Sequence, residues 1–251
     1  FLKSFYPLVK LIRKEKPKYL VSYLITSLPI IIFLIFKFET KLIINIAGQP
    51  KLNFLRKFLW KKISKRVSYV ICPSIELKNN LVKYNIFDES KIFVIQDPHI
   101  NIQKINFLKS QKIESNFFKE GKIILSIGRL TKQKNFAFLI NNFLTIYKKY
   151  NDFKLAIIGD GEEKEYLLKL IKRNNLDSVV KIIGYKENIY NYLRASNYYI
   201  STSNWEGSSL AMIDAAVIGL PILCSDCPTG RKEFIGDNER GYMYSRNNPQ
   251  D

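Results

Sequence analysis

The stretch Lys122-Ile-Ile-Leu-Ser-Ile-Gly-Arg-Leu-Thr-Lys-Gln-Lys-Asn135 joins a short apolar run to a basic turn. The run at 122–127 has the composition of a buried strand, and Gly128 after it allows the backbone to turn tightly. Arg129 and Lys134 flank the turn, and the final asparagine stands where it could cap a following helix. Two cations beside the carboxyl end of a strand suit a diphosphate, because Arg can grip phosphate oxygens bidentately. Taken alone, the stretch also fits a solvated basic loop.

The same alternation of strand and helix continues to the end of the chain. Apolar runs predict strands at 122–127, 154–158, 179–183, 198–202 and 221–224, and helical periodicity covers 135–149, 162–174, 188–195 and 208–218. This alternation is typical of a parallel sheet covered on both faces. Ligands of such sheets bind beyond the carboxyl ends of the strands, which is where four glycines fall: Gly128, Gly159, Gly161 and Gly184.

A second alternating pattern occupies the first hundred residues. It predicts strands at 41–46, 67–72 and 91–95 and helices at 52–66 and 75–84. The polar segment after Asp97-Pro98 has the character of an interdomain linker. The sequence therefore predicts two α/β domains, an incomplete N-terminal one over 1–99 and a C-terminal one over 121–251, joined by a linker over 100–120.

The uncharged run at 19–36 has two interpretations. Its length, between Lys18 and Lys37, makes it a candidate for a transmembrane helix. The alternative is a buried strand at 19–24 followed by an apolar helix that begins near Pro29, where proline suits a first turn. The physics of the run alone leaves both open.

The composition excludes disorder and fibrous structure but not an anionic partner. Among 251 residues 47% are hydrophobic and 25% charged, and 40 Lys+Arg against 22 Asp+Glu give a net charge of +18. Such an excess favours nucleic acid, an anionic membrane or phosphorylated substrates, although a lysine-rich composition without function explains it equally well. No helix-turn-helix, zinc or RNA-binding signature is present, so we expect no nucleic acid.

Three cysteines are too few for a disulfide framework, which indicates a reducing compartment. Cys224 and Cys227 have C-x-x-C spacing, but zinc needs four ligands and the single histidine, His99, is distant in sequence. We interpret the spacing as accidental and expect no metal.

A second motif, Trp205-Glu-Gly-Ser-Ser-Leu-Ala-Met-Ile-Asp214, places two carboxylates near the start of a predicted helix. Gly207 lets the backbone approach a ligand, and the amides of Gly207–Ser209 open a helix N-terminus that favours anions. Glu206 would contact a sugar and Asp214 hydroxyls further along a nucleotide. The alternative is that Glu206 is only a turn residue and Asp214 only a solvated position on the helix.

Together these motifs resemble the family 4 retaining glycosyltransferases, which have the GT-B fold of two Rossmann-like domains with parallel sheets. The resemblance covers 67–251. It is carried by Ser126-Ile-Gly-Arg-Leu-x3-Lys-Asn135, Ile157-Ile-Gly-Asp-Gly161, Glu206-x7-Asp214, Asp214-Ala-Ala-x2-Gly-x-Pro221 and Ser225-Asp-Cys-Pro-Thr-Gly230. The last segment, with Glu233-Phe-Ile after it, is similar to members that build capsule, lipopolysaccharide O-antigen or lipid-linked oligosaccharides. The resemblance implies a chain truncated at both ends, and a strand plus buried helix at 19–36.

The resemblance also implies roles for individual residues. Glu206, Arg129 and Lys134 would be catalytic, the two cations by holding the donor diphosphate and stabilising the leaving nucleotide. The other donor-binding positions would be Gly128, Gly159, Lys186, Gly207, Ser208, Ser209 and Asp214. Asp214 stands where the family usually has a second glutamate that binds the ribose. Gln49 is a weak acceptor-side candidate, and His99, at the place of a family hinge, is interpreted as a hinge residue and not a base.

The implied function is the transfer of a sugar from a nucleotide-sugar to a lipid-linked or surface-glycan acceptor, with retention of the anomeric configuration. UDP is the nucleotide that the family resemblance implies. No Asp-x-Asp pair is present, so cationic side chains would replace a metal at the leaving diphosphate. The leaving phosphate would act as the base. A non-catalytic GT-B-like subunit that binds nucleotide-sugar is the main alternative.

The segment 52–66 predicts a basic amphipathic helix. Its apolar positions recur at helical spacing, namely Leu52, Leu55, Phe58, Leu59 and Ile63, and six cations occupy the remainder. With Trp60 near the boundary, such a helix can lie on an anionic membrane. A surface helix packed on the core is the alternative. The membrane interpretation places the protein in the cytoplasm, peripheral on the inner face of the cytoplasmic membrane.

Overall fold

The computed structural model describes residues 2–23, 26–96, 99–113, 115–228, 230–236 and 239–246. The chain folds into two compact units, residues 1–97 and 98–251. Asp97 and Pro98, where the linker was expected to begin, and Thr229 of the motif at 225–230 lie outside the described residues.

The first unit is a four-stranded parallel sheet in the order β1-β2-β3-β4. Its strands are β1 (Tyr19–Tyr23), β2 (Lys41–Asn45), β3 (Val67–Cys72) and β4 (Ile92–Val94). Its helices are α1 (Leu2–Glu15), α2 (Ser27–Ile35), α3 (Phe54–Ile63) and α4 (Ile75–Lys83). Asn53 and Ser74 begin α3 and α4 by accepting hydrogen bonds from the amides of Arg56 and Leu77.

The apolar run at 19–36 forms β1 and α2, as the α/β interpretation predicts. Ile30 and Ile32 of α2 are fully buried in the core of the first unit. Over the part of the chain that the structure describes, no helix combines the length and apolar character that crossing a membrane requires.

Helix α3 divides the apolar residues predicted along 52–66 into two groups. Trp60 and Ile63 are buried, and the Trp60 ring packs on Phe87 with the centroids 5.4 Å apart. The predicted position of Trp60 at a membrane boundary is therefore wrong, because the indole belongs to the core. Leu55 and Phe58 are exposed, together with Phe54 at the start of the helix.

The second unit is a six-stranded parallel sheet in the order β10-β9-β8-β5-β6-β7. Its strands are β5 (Lys122–Ile127), β6 (Phe153–Ile158), β7 (Val180–Gly184), β8 (Tyr198–Ser201), β9 (Ile222–Ser225) and β10 (Tyr242–Tyr244). Its helices are α5 (Ile102–Lys109), α6 (Phe136–Lys149), α7 (Lys164–Arg173), α8 (Tyr190–Arg194), α9 (Leu210–Ile218) and α10 (Arg231–Ile235). The strand order reverses between β5 and β8, which creates a crevice at their carboxyl ends.

The segment predicted as a linker over 100–120 is folded into the second unit. Asn101 caps α5 by accepting from the amide of Lys104, and Ile105 of that helix is buried. A single 3-10 turn at Asn116–Phe118 buries Phe117 in the core. The helix was not predicted because the segment is polar and only one residue of α5, Ile105, is buried. The sequence analysis also gave no helix at α1 or α10 and no strand at β10.

Candidate active site

The loops that follow β5 and β8 are joined by hydrogen bonds at the reversal of strand order. The amide of Asn204 donates to the Gln133 carbonyl at 2.8 Å, and the Gln133 side chain donates to the Trp205 carbonyl at 2.9 Å. The Thr202 hydroxyl donates to the Lys134 carbonyl at 3.0 Å. The two sequence motifs, 72 residues apart at Lys134 and Glu206, therefore form one site.

Asn135 takes a different role from the predicted helix cap. Its backbone is left-handed, with φ of 53°, and its side chain makes no capping hydrogen bond to α6. The amide group lies 3.4 Å from the Asn204 side-chain oxygen instead. It adds to the contact between the two loops.

Glu206 is the centre of a buried charged cluster. Only 6% of the residue is exposed. Its Oε1 atom lies 2.6 Å from the Lys134 ammonium and accepts a 2.6 Å hydrogen bond from the Ser203 hydroxyl. The Arg231 Nη2 atom is 3.5 Å from the same oxygen. Two of the three residues predicted as catalytic, Glu206 and Lys134, are thus in direct contact.

Arg231 is the residue of this cluster that the sequence analysis missed. It opens α10 and is 1% exposed. Its Nη1 donates to the Ser225 hydroxyl at 2.9 Å and its Nη2 to the Ser201 hydroxyl at 2.6 Å, so the guanidinium ties the ends of β8 and β9 together. A fully buried arginine requires a partner charge, and Glu206 is the carboxylate that supplies it. The motif at 226–235 contains Arg231 at a position that the resemblance left unspecified.

The cluster carries more positive than negative charge. Lys134 and Arg231 both lie within 3.5 Å of the Glu206 carboxylate. Arg129 is an exposed residue of the same loop as Lys134, with its Nη2 3.5 Å from the Gln133 side-chain oxygen. The one carboxylate against two cations in the cluster, with Arg129 on the same loop, leaves a positive surplus that an anionic ligand would neutralise.

Two glycines make room for the cluster. The Lys134 side chain lies across Gly128, where a Cβ atom would come within 2.9 Å of Lys134 Cε. Gly159, after β6, has φ of 151°, and a Cβ there would collide with the Gly128 carbonyl oxygen. Gly128 thus leaves the space that the Lys134 side chain occupies, and Gly159 allows the close approach of its own backbone to that of Gly128.

Gly207, Ser208 and Ser209 immediately precede α9. Ser209 occupies its N-cap position, and the Ser209 side chain makes no capping hydrogen bond. Backbone amides at this end of a nine-residue helix lie in the region that favours anions.

Asp214 lies one turn into α9 in a second polar group. It is buried, and its Oδ1 accepts a 2.9 Å hydrogen bond from the Tyr190 hydroxyl. His99 Nε2 is 3.3 Å from the same oxygen. Burial raises the pKa of Asp214, and burial together with the Asp214 contact raises the pKa of Tyr190 to about 12. Neither Tyr190 nor the contact of His99 with Asp214 was foreseen, and the hinge role of His99 stays a prediction.

Lys186 makes none of these contacts among the described residues. Lys186 follows β7 and is half-buried, and no hydrogen bond or ion pair joins it to Glu206 within the described ranges. Gln49 belongs to the first unit, where it donates to the Tyr84 hydroxyl at 2.6 Å and accepts from Asn80 at 3.2 Å.

The cysteines are packed in the interior. Cys72, Cys224 and Cys227 are all buried, and burial raises the pKa of Cys224 to about 11. In the described parts of the chain, no group of three or more His, Cys, Asp and Glu side chains could hold a metal ion.

The raised pKa of Asp214 predicts that Asp214→Asn increases stability at neutral pH. The folded state holds the Asp214 proton more tightly than the unfolded state. The stability that the protonated carboxyl contributes is therefore complete below the ordinary pKa of aspartate and is lost as pH rises through the pKa of the folded state. Asparagine keeps an acceptor for Tyr190 but carries no charge to desolvate. Thermal denaturation should therefore give equal Tm values in acid and a higher Tm for the variant near neutrality. A lower Tm for the variant near pH 7 would contradict this interpretation.

A cationic cluster at the reversal of strand order in a parallel α/β unit is typical of proteins that bind nucleotides or other phosphorylated ligands. The described fold and cluster of this chain have that arrangement.

Comparison with known proteins identifies the family. The model of the glycosyl transferases group 1 family matches residues 109–251, and the chain belongs to this family. An uncharacterized glycosyltransferase of Methanocaldococcus jannaschii is 31% identical over 252 residues, covering 93% of this chain and 62% of that protein. The N-acetylgalactosamine-N,N'-diacetylbacillosaminyl-diphospho-undecaprenol 4-alpha-N-acetylgalactosaminyltransferase of Campylobacter jejuni is 29% identical over 218 residues, 84% of this chain and 58% of that protein. The chain thus spans 62% and 58% of the lengths of these two relatives.

Solved structures confirm the predicted GT-B fold. HepE of Anabaena in complex with UDP matches 97% of this chain and 70% of its own, with a TM-score of 0.79 and 18% identity. A mutant TarM of Staphylococcus aureus, in complex with UDP among other ligands, matches 84% of this chain and 42% of its own, with a TM-score of 0.68 and 25% identity.

Proposed function

We propose that the protein is a retaining glycosyltransferase that moves a sugar from a nucleotide donor, UDP-linked, to a lipid-linked or surface-glycan acceptor. The observation that carries the proposal is the buried contact of Glu206 with Lys134 and Arg231 at the reversal of strand order. Family membership and the glycosyltransferase names of its relatives support it.

The charge balance of the cluster suits the donor diphosphate. When the bond from the anomeric carbon to the phosphate oxygen breaks, its electron pair stays on the departing nucleoside diphosphate. Arg129, Lys134 and the amides at the start of α9 are the groups that would stabilise this negative charge. With these cations in place we expect the reaction to need no metal.

Retention requires that the acceptor oxygen attack the face from which the diphosphate leaves. The new bond joins that oxygen to the anomeric carbon, and the acceptor proton passes to the leaving phosphate. We assign Glu206 to the hydroxyls of the donor sugar and Asp214 to the ribose. Lys134 and Ser203 would hold the Glu206 carboxylate in one orientation through their 2.6 Å contacts.

The acceptor is proposed from the relatives and from charge. The name of the Campylobacter jejuni relative describes a diphospho-undecaprenol substrate. In this chain, residues 1–100 carry 18 basic and 6 acidic side chains, which would favour an acceptor at an anionic membrane. Gln49 remains the acceptor-side candidate.

The exposed residues of α3 predict contact with such a membrane. Phe54 is 87% exposed, and Leu55 and Phe58 are also exposed, among cations that include Lys57 and Lys61. Exposed aromatic side chains between lysines are typical of helices that lie in the interface of an anionic bilayer. On this basis we propose that the protein lies peripherally on the membrane; the cytoplasmic face is retained as the expectation from the sequence.

Phe54→Ser/Phe58→Ser should reduce co-sedimentation with phosphatidylglycerol vesicles about tenfold, since two aromatic side chains no longer enter the interface. Phe107→Ser on α5 is the matched control, because Phe107 is equally an exposed phenylalanine. Equal binding by the α3 variant and the unaltered protein would remove this part of the proposal.

The test of the function is a sugar-transfer assay with the protein. UDP-sugars are supplied singly with a polyprenyl-diphosphate glycan acceptor, and release of UDP and a new glycosidic bond are measured together. One UDP-sugar should support transfer with retained anomeric configuration and without added metal. UDP binding without turnover of any donor would favour the non-catalytic subunit.

A further inference from the structure

A cavity of about 400 Å³ lies in the first unit, at the edge of the sheet where β1 and β2 begin. It is open to solvent and is lined by the end of α1 and by the segments that lead into the two strands, 12–18 and 37–41. Five cations line it: Arg13, Lys16, Lys18, Lys37 and Lys41. Glu39 is the single carboxylate among the lining residues. We call this space the basic cavity.

Few groups of the protein compensate the charge of the basic cavity. Over the described residues, none of the five cations forms an ion pair with a carboxylate or donates a side-chain hydrogen bond. Arg13 lies over the Phe36 ring and Lys18 over the Tyr19 ring, at 4.9 and 5.5 Å from the ring centroids. Two other cations in the same unit show the contrast. Arg66 donates to the Phe36 carbonyl at 2.7 Å, and Lys91 donates to the Val67 carbonyl at 2.9 Å. These two hold the fold together, whereas the cavity cations have no such partner.

Thr40 adds a neutral hydrogen-bonding group to the basic cavity. It lines the cavity, and its hydroxyl has no hydrogen-bond partner among the described residues. A ligand oxygen in the cavity would accept a hydrogen bond from this hydroxyl.

We propose that the basic cavity binds an anion that carries two or more phosphate groups, either a soluble phosphorylated compound or a lipid headgroup. Five cations against one carboxylate match the charge of a diphosphate, and lysine ammonium groups bind phosphate as point charges. The cavity adjoins the amino ends of β1 and β2, whereas Gln49 follows the carboxyl end of β2. The site is therefore separate from the acceptor-side candidate and does not depend on the proposed function.

Calorimetric titration with inorganic diphosphate tests the proposal. The titrations use an Arg129→Ala/Lys134→Ala background, so that the candidate donor site does not contribute. Adding Lys37→Gln/Lys41→Gln should weaken binding about 30-fold, since each cation near a phosphate contributes about a factor of five. Thr40→Val, which keeps every charge, should weaken it about fivefold through the lost hydrogen bond.

Lys169→Gln/Lys172→Gln on α7 is the matched control, because it removes the same charge from another exposed surface. It should leave diphosphate affinity unchanged. Absence of binding by the folded background protein would overturn the proposal. So would an equal loss in the α7 control, or retained affinity in both cavity variants, because binding would then reflect only the net charge of the protein.

Vesicles distinguish the two sources of phosphate. Phosphatidylcholine vesicles with and without cardiolipin, a lipid with two phosphates, are sedimented with the same variants. Loss of cardiolipin-dependent binding in the cavity variants alone identifies a headgroup site. Loss of diphosphate binding with unchanged vesicle binding identifies a soluble ligand. Duplex DNA that binds, and weakens equally in cavity and α7 variants, overturns the proposal in favour of nonspecific charge.

Discussion

Glu206→Gln should lower sugar transfer by the protein about 10³-fold while leaving UDP affinity within about threefold of the unaltered value. The amide is nearly isosteric, so the space around Lys134 and Ser203 is unchanged. It removes the negative charge that both Lys134 and Arg231 face. The loss should fall on kcat, because the proposed contact of Glu206 is with the sugar and not with the nucleotide.

Glu162→Gln is the control for this experiment, since Glu162 is an exposed carboxylate in the same unit. Its transfer rate should equal that of the unaltered enzyme. Near-normal turnover by Glu206→Gln would show that the buried carboxylate only supports the fold, and the site assignment would fail. We expect His99→Ala to retain transfer, as the sequence analysis predicts.

Arg231→Met should destabilise the second unit by about 3–5 kcal/mol and lower transfer as well. The guanidinium spans the ends of β8 and β9 through Ser201 and Ser225, and its removal leaves their hydroxyls with fewer partners. It also leaves Glu206 with one cation in place of two. Urea denaturation measures the stability, and Arg231→Lys should recover part of both losses because it restores the charge without the planar fork.

Arg173→Met is the control, because it replaces an exposed arginine at the end of α7 by the same residue. It should change the free energy of unfolding by less than about 0.5 kcal/mol. An Arg231→Met protein as stable and active as the unaltered one would mean that the buried guanidinium is dispensable. The assignment of Arg231 as the second partner of Glu206 would then be wrong.

The sequence predicts the sheet of the second unit well because its strands are short, apolar and followed by glycines or serines. Contacts between Lys134 and Glu206 follow from topology, since loops at the ends of adjacent parallel strands lie together. Arg231 could not be recognised this way. Its charge suggests an exposed side chain, and its burial depends on serines from β8 and β9 that converge only in the fold.

The remaining differences have the same physical origin. The helix α5 buries one residue fully, so its periodicity is too weak to separate from a polar linker. The segment 52–66 does contain an amphipathic helix, but its pattern does not show which apolar residues face the core. Trp60 faces the core and is buried. Asp214 was singled out by its spacing from Glu206, whereas its partners Tyr190 and His99 come from distant segments.

The most direct test of the donor site is calorimetric titration of the unaltered protein and of Arg129→Ala/Lys134→Ala with UDP, GDP and ADP. We predict that UDP binds and that the double variant, still folded by circular dichroism, loses about a hundredfold or more in UDP affinity. GDP and ADP should bind more weakly than UDP. A folded protein that binds none of the three, or a double variant that binds UDP as tightly as the unaltered protein, would contradict the assignment of this site to a nucleotide-sugar donor.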